Sequence, residues 1–180
     1  MKIRGKQPIQ TVPGHDTRPT MARVREAVFN IWQFDIPGCR WLDICAGTGS
    51  MGAEALCRGA ACAVGIEQAG RACAAIEQNW RTIAQPHQQI QIVRADAVQG
   101  LGQLAGQLFD RIYFDPPYAS DLYLPVLEAI AVHRLLATDG CLAVEHRKYT
   151  PLPPSIAELT AVRTRCYGTT ALTFYGIAYA

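Results

Sequence analysis

The twelve residues Trp41-Leu42-Asp43-Ile44-Cys45-Ala46-Gly47-Thr48-Gly49-Ser50-Met51-Gly52 constrain this chain more than any other stretch. They read as a short apolar strand, a glycine turn and the start of a helix that runs from Ser50 to Arg58 and stops at Gly59. A strand that passes through glycines straight into a helix opens a β-α-β unit. The glycines let the main chain turn tightly and come close to a ligand.

The residues that follow keep alternating. Apolar runs predict strands over 41–45, 61–67, 89–95, 109–115 and 140–146, with helices over 50–58, 70–83, 97–105 and 122–137 between them. That alternation implies a parallel sheet with helices on both faces. The tail differs. After the linker Pro151-Leu152-Pro153-Pro154, strands over 159–167 and 170–179 join through Tyr167-Gly168-Thr169-Thr170 as an antiparallel hairpin on the sheet edge. Ahead of the sheet lies an extended, turn-rich segment containing Pro8 and Pro13-Gly14. A helix follows to about Trp32, with Thr20 as its cap and Val24, Val28 and Ile31 as its buried stripe. The expected fold is α/β and Rossmann-like, a mostly parallel seven-stranded sheet with a C-terminal antiparallel hairpin. One domain over residues 1–180 is expected, with 1–19 an extended basic segment.

Four of the parallel strands end in acids: Asp43, Glu67, Asp96 and Asp115. In open parallel sheets ligands bind beyond the carboxyl ends of the strands, so all four belong to the binding edge. Asp43 discriminates between ligands. A dinucleotide pyrophosphate suits a helix N-terminus and is repelled by a carboxylate there, whereas an amino-acid ammonium prefers the carboxylate. S-adenosylmethionine carries that ammonium, a sulfonium and no phosphate. The predicted cofactor-binding set is Asp43, Ala46, Gly47, Thr48, Gly49, Glu67 for the ribose hydroxyls, and Asp96 with Ala97 for the adenine. Each acid taken alone reads equally well as a solvated strand end or a helix cap.

Asp115-Pro116-Pro117-Tyr118, directly after Ile112-Tyr113-Phe114, answers a second chemical problem. The carboxylate and a main-chain carbonyl accept the two hydrogens of an exocyclic amine, and the ring of Tyr118 offers a face to a planar base. The prolines fix the backbone and add no competing N–H. Asp115, Pro116, Pro117 and Tyr118 are therefore the predicted catalytic residues. Any exocyclic amine fits this grip, so a DNA adenine-N6 methyltransferase remains an alternative. A non-catalytic S-adenosylmethionine- or rRNA-binding assembly factor is another.

Composition sets bounds. At 49% hydrophobic and 18% charged, the chain has the balance of a water-soluble protein, without a membrane-spanning run or signal peptide, and a cytoplasmic monomer is expected. The cysteines Cys39, Cys45, Cys57, Cys62, Cys73, Cys141 and Cys166 are scattered, which predicts small buried hydrophobes and neither a metal site nor a disulfide framework. His146 reads as a surface or packing residue rather than a base. Net charge is +2, but residues 1–40 hold seven Lys/Arg against three acids. This basic lead suits a phosphate backbone, with Arg18, Arg23 and Arg25 as candidate RNA contacts; Arg18 and Arg25, seven apart, would share the exposed side of the first helix.

With these motifs in place the chain resembles the RsmD family of 16S rRNA (guanine-N2)-methyltransferases. The stretch Arg18-Pro19-Thr20-Met21-Ala22-Arg23-Val24-Arg25-Glu26-Ala27-Val28-Phe29-Asn30-Ile31 is similar to that family's opening signature. Asp43 to Ala60 is similar to its cofactor loop and following helix, and Arg4-Gly5-Lys6 and Tyr167-Gly168-Thr169-Thr170 add to the likeness. Two departures stand out. Ala22 replaces an Asp of the signature, and Cys45-Ala46-Gly47-Thr48-Gly49 replaces the more usual Phe-Ala-Gly-Ser-Gly. The resemblance implies methylation of a guanine N2 amine in 16S rRNA, within the 30S subunit or its assembly intermediate, with S-adenosylmethionine as donor.

Overall fold

The structure, a computed structural model, describes the backbone at residues 2–3 and 7–8 and the chain from 22 to 178. Lys2–Ile3 (β1) and Gln7–Pro8 (β2) pair antiparallel as a two-stranded unit of their own. Thr20 and Arg18 lie outside the described residues, as does most of the segment 1–19. The first helix, Ala22–Ile31 (α1), buries Val24, Arg25, Val28 and Phe29, while Ile31 is only partly covered. Its apolar stripe is thus wider than the expected one, and it takes in an arginine.

Arg40–Ile44 (β3), Ser50–Cys57 (α2), Cys62–Glu67 (β4), Gly70–Ile83 (α3), Gln89–Arg94 (β5), Ala97–Gln103 (α4) and Phe109–Phe114 (β6) follow in the predicted alternation. Tyr123–Val132 (α5) departs from the expected 122–137. Arg134 adopts φ +50° and the Leu135 N–H turns back to the Ile130 carbonyl, which closes the helix. The apolar Leu135 and Leu136 that prolong the helical pattern belong to the next element, Leu136–Arg147 (β7). This strand starts earlier than the predicted 140–146. Its partners on β6 jump from Leu136 opposite Phe109 to Cys141 opposite Arg111, so the added residues form an irregular entry. Ser155–Ile156 (β8), Leu159–Tyr167 (β9) and Thr170–Ile177 (β10) complete the chain.

The main sheet has eight strands in the order β5-β4-β3-β6-β7-β10-β9-β8, one more than expected because β8 adds to the edge beyond the proline linker. β5 to β7 run parallel, and β10 enters antiparallel between β7 and β9. The chain begins in the middle at β3, builds outward to β5, then returns to lay β6 on β3's other side. This reversal places the turns after β3 and β6 next to one another, with Ile44 opposite Phe114. Of the cysteines only Cys39 is fully buried, and Cys166 is exposed, which corrects the reading of most of them as core residues. His146 is a packing residue, buried and hydrogen-bonded to Thr173 Oγ1 at 2.8 Å.

The glycine turn is shaped from behind by Trp80 of α3, which is wholly buried. Its indole N–H donates to the Gly49 carbonyl at 2.7 Å, and Asn79 Nδ2 donates to the Thr48 carbonyl at 3.0 Å. A Cβ on Gly49, Gly52 or Gly65 would come within 2.6, 2.2 or 2.8 Å of the Trp80 ring. Gly52→Ala tests this wedge. Replacing a helical glycine by alanine normally gains up to about 1 kcal/mol, but forcing a methyl into a closed core costs about 1–3 kcal/mol. With no room for the ring to retreat, the loss prevails. Urea unfolding should show Gly52→Ala destabilised and Gly52→Ala/Trp80→Phe less so than the sum of the single changes. Additive losses would mean that the ring is not what excludes the methyl.

Candidate active site

A cleft of about 570 Å³ opens at the carboxyl ends of β3, β4, β5 and β6, a volume typical of small-molecule sites. Ala46, Gly47 and Thr48 line it, as do Asp43, Glu67, Asp96, Ala97 and all of Asp115-Pro116-Pro117-Tyr118. The predicted cofactor and catalytic sets therefore share one space, with one exception. Gly49 is buried with φ +73°, on the Trp80 side of the turn, and serves its shape rather than the cleft wall.

Two of the acids hold the turn together. Gly49, at the head of α2, has no side chain with which to cap the helix. Asp43 fills that role from the preceding strand, its Oδ2 accepting the Gly52 N–H at 3.0 Å. The sequence reading aims Asp43 at a ligand above the turn. In the structure it is the cleft floor, 2% exposed, with one oxygen directed at the helix. Glu67 accepts the Gly47 N–H through Oε2 and the Ala69 N–H through Oε1, both at 2.9 Å. Each Glu67 oxygen keeps a further lone pair for a ligand hydroxyl. Asp96 caps α4 through the Gln99 N–H at 3.0 Å.

On the β6 side, Asp115 is half-buried and its N–H reaches the Ile44 carbonyl at 3.4 Å, tying the loop after β6 to the end of β3. Tyr118 donates its hydroxyl to Glu145 Oε1 at 2.9 Å and lies 2.9 Å from Thr170 Oγ1. Tyr113 donates to the other Glu145 oxygen at 2.5 Å. The Arg147 guanidinium sits 5.6 Å from the Tyr118 ring centre. Burial, reinforced by the Glu145 charge, pushes the Tyr113 hydroxyl far above its ordinary range. For Tyr118, burial raises the hydroxyl to about 12 against the opposing Thr170 hydrogen bond. Cys45, at φ +62° on the cleft wall, is also pushed to about 12, by burial and then by Glu67, Asp115 and Asp43. It stays a thiol and is no nucleophile.

Glu145 and Arg147 were missed by sequence reasoning. Glu145 is an acid in the apolar run Cys141 to His146, the same strand-end signal that marked the other four acids. Of the candidate RNA contacts, Arg23 is exposed, and Arg25 is 7% exposed in α1, one turn before Phe29. Its burial removes it from the surface on which it was expected.

The acids Asp43, Glu67, Asp96, Asp115 and Glu145 and one cation, Arg147, line the cleft. Two main-chain donors of the turn, the Gly47 and Gly52 N–H groups, are engaged by carboxyls of the chain itself. The site thus fits a cationic, phosphate-free ligand with hydroxyls, as S-adenosylmethionine is, and opposes a dinucleotide. The family described as conserved hypothetical protein 95 matches residues 2–176. The chain belongs to that family.

Two of this family member's relatives and one solved structure set its neighbourhood. It is 31% identical to YlbH of Bacillus subtilis, provisionally named an rRNA methyltransferase, over 93% of this chain and 91% of that protein. It is 30% identical to ribosomal RNA small subunit methyltransferase D of Escherichia coli, over 94% and 83%. The structure of the Escherichia coli protein yhhF, provisionally named a methyltransferase, superposes with TM-score 0.85 at 28% identity, covering 98% of this chain and 97% of that one. The family member thus has the class I S-adenosylmethionine-dependent methyltransferase fold. No helix among the described residues is long and apolar enough to cross a membrane.

Asp43 yields a pH test. Burial raises its carboxyl from the ordinary 3.8 to about 8, opposed by the Gly52 N–H and reinforced by the Glu67 charge. Between pH 4 and 8 the folded protein therefore holds a proton that the unfolded chain has released, and stability from this group falls as pH rises through that window. Above about 8 the loss is complete. Urea midpoints at pH 5 and pH 8 should drop further in the ligand-free wild type than in Asp43→Asn, which keeps the acceptor for Gly52. Parallel drops would mean that Asp43 is ionised in the empty cleft.

Proposed function

We propose that this protein transfers a methyl group from S-adenosylmethionine to the exocyclic N2 amine of a guanine in 16S rRNA. One observation carries the reading: a single cleft is lined by Asp43, Glu67 and Asp96 and by Asp115-Pro116-Pro117-Tyr118, which the β3–β6 reversal brings together. The rRNA substrate rests on the names of the relatives, and the guanine N2 position on the resemblance of the opening and cofactor-loop stretches to RsmD-type enzymes.

S-adenosylmethionine supplies an electrophilic methyl group on a sulfonium sulfur, so the chain's work is positioning and electrostatics. Glu67 receives the ribose hydroxyls with its remaining lone pairs, while Asp43 and Asp96 line the same wall. The guanine amine is a weak nucleophile because its lone pair is delocalised into the ring. Hydrogen bonds from that amine to the Asp115 carboxylate and the Pro116 carbonyl direct the lone pair at the methyl group, and the carboxylate stabilises the positive charge that grows on nitrogen. Tyr118, fixed through its hydroxyl by Glu145 and Thr170, presents a rigid ring to the extruded base. Arg147 covers part of that ring, so the base takes the uncovered face.

Tritiated-methyl transfer to 30S subunits, deproteinised 16S rRNA and DNA, followed by nucleoside mass spectrometry, tests this. N2-methylguanosine from 16S rRNA is expected; N6-methyladenine from DNA would replace the reading with the adenine alternative, and no transfer would favour a non-catalytic factor. Asp115→Ala should lower kcat by about 100- to 1000-fold, with S-adenosylmethionine affinity by calorimetry held within a few fold. Glu67→Ala should weaken cofactor binding first. The reverse pattern would overturn both role assignments.

A further inference from the structure

The outer edge of the sheet carries positive charge that the chemistry in the cleft does not use. Residues 147–178 contain Arg147, Lys148, Arg163 and Arg165 against a single acid, Glu158. All four basic residues are exposed, and none is in an ion pair with a described acid.

Register gathers three of them on one face. Arg147 of β7 lies opposite Thr170 of β10, which lies opposite Tyr167 of β9. One row further from the cleft, Glu145 and Arg165 flank Leu172; in the next row, Ala143 and Arg163 flank Phe174. Residues directly opposed, and residues two apart on a strand, share a face. Arg147, Arg165 and Arg163 therefore form a descending track, with steps of about 6.8 Å along the strands. It starts at the cleft mouth, where Arg147 overlies Tyr118. Glu145, on the same face, is buried and bonded to Tyr113 and Tyr118. Helix α1 packs its apolar side on the same face, against Trp41, Leu172 and Phe174, and leaves the β9 margin uncovered. The half-buried Tyr167 stands in the Arg147 row of the track, and Tyr149, 87% exposed, lies beside Lys148.

We infer that this face of the C-terminal hairpin is a docking track for a single-stranded RNA backbone. Arg147 meets the phosphate beside the base held in the cleft, and Arg165 and Arg163 meet the phosphates beyond it. The inference rests on the methylation reading above and adds where its substrate lies. Guanidinium groups grip phosphate oxygens in pairs, and flanking aromatic rings receive unstacked bases without regard to sequence. A purely structural role explains Arg163, whose guanidinium lies 5.0 Å over the Phe174 ring. It does not explain Arg165, which makes no ring contact or ion pair among the described residues.

The test measures 16S rRNA binding by fluorescence anisotropy over a salt series, together with methyl transfer to 30S subunits, for wild type, Arg163→Gln/Arg165→Gln and Arg165→Gln. The single change leaves Phe174 covered and serves if the pair unfolds. Expected for the pair are an RNA Kd and a 30S KM raised about tenfold, and a slope of log Kd against log salt reduced by about 1.4, the loss of two phosphate contacts, with about half that slope change for Arg165→Gln. Calorimetric S-adenosylmethionine affinity and kcat at saturating 30S should hold. An unchanged Kd and slope in a wild-type-like fold overturns the track, as does a fall in kcat with KM intact. A defect on 30S subunits with rRNA binding unchanged assigns the face to a ribosomal protein and overturns the RNA assignment. Wild-type protein that methylates no RNA overturns the reading beneath it, and the track with it.

Discussion

A glycine turn leading into a helix leaves main-chain N–H groups pointing into a cleft, and such groups ordinarily attract anions. In this chain the protein's own carboxylates take them first. Glu67 engages the Gly47 and Ala69 N–H groups and Asp43 the Gly52 N–H. Much of what makes the site selective follows from that substitution. The turn keeps the tight geometry of a nucleotide-binding loop, yet presents negative charge where a phosphate would have to sit. Its shape is enforced from the opposite side by Trp80, whose ring occupies the space that side chains at Gly49, Gly52 and Gly65 would need. The turn is thus clamped between an indole behind and two carboxyls in front, and little is left for a ligand to reorganise.

The second half of the site depends on topology more than on local sequence. The turns after β3 and β6 are some seventy residues apart in the chain, and they become neighbours because the sheet is built outward and then reversed. The return also brings β7 and β10 alongside, and these contribute Glu145, Arg147 and Thr170. One buried carboxylate, Glu145, accepts from both Tyr113 on β6 and Tyr118 on the loop beyond it. The Asp115-Pro116-Pro117-Tyr118 loop is therefore fastened at both ends, by the Asp115 N–H to β3 and by the Tyr118 hydroxyl to β7 and β10. A Tyr118 ring held this way keeps little conformational freedom.

From Trp41 to Phe114 the fold was legible because each strand ends in an acid or glycine that marks the boundary, and α3 was legible over its full length, Gly70–Ile83. The α5–β7 junction was not. Leu135 and Leu136 satisfy a helical stripe and a buried strand equally well, and the choice rests on the positive φ of Arg134, which no apolar pattern encodes. Arg25 misled for a related reason. Charge predicts exposure on an isolated helix, but α1 buries a face wide enough to include residue 25. Asp43 was found by its position, while its task as the cap of α2 became visible only once Gly49 proved to sit at the head of that helix in a left-handed conformation. Glu145 carried the same strand-end signal as the other acids, in a strand buried on both sides where alternation is silent.

The chain also solves an electrostatic conflict. A cleft that attracts a cation repels a polyanion, so a protein that must bring the two together has to separate their fields within a few ångströms. Strand β7 does this over two residues. Glu145 and Arg147 share one face because side chains alternate along a strand, yet the first is 3% exposed and the second projects at the cleft mouth. Glu145 lies beneath the Tyr113 and Tyr118 hydroxyls that bond to it. The field of the exposed guanidinium decays in the surrounding salt solution over about 8 Å at physiological ionic strength. The change of sign therefore falls at Tyr118, whose ring lies against Arg147 on one side while its hydroxyl bonds Glu145. Under the methyl-transfer reading, an RNA base drawn in along the positive side meets the acids only after its phosphates have stopped at the rim.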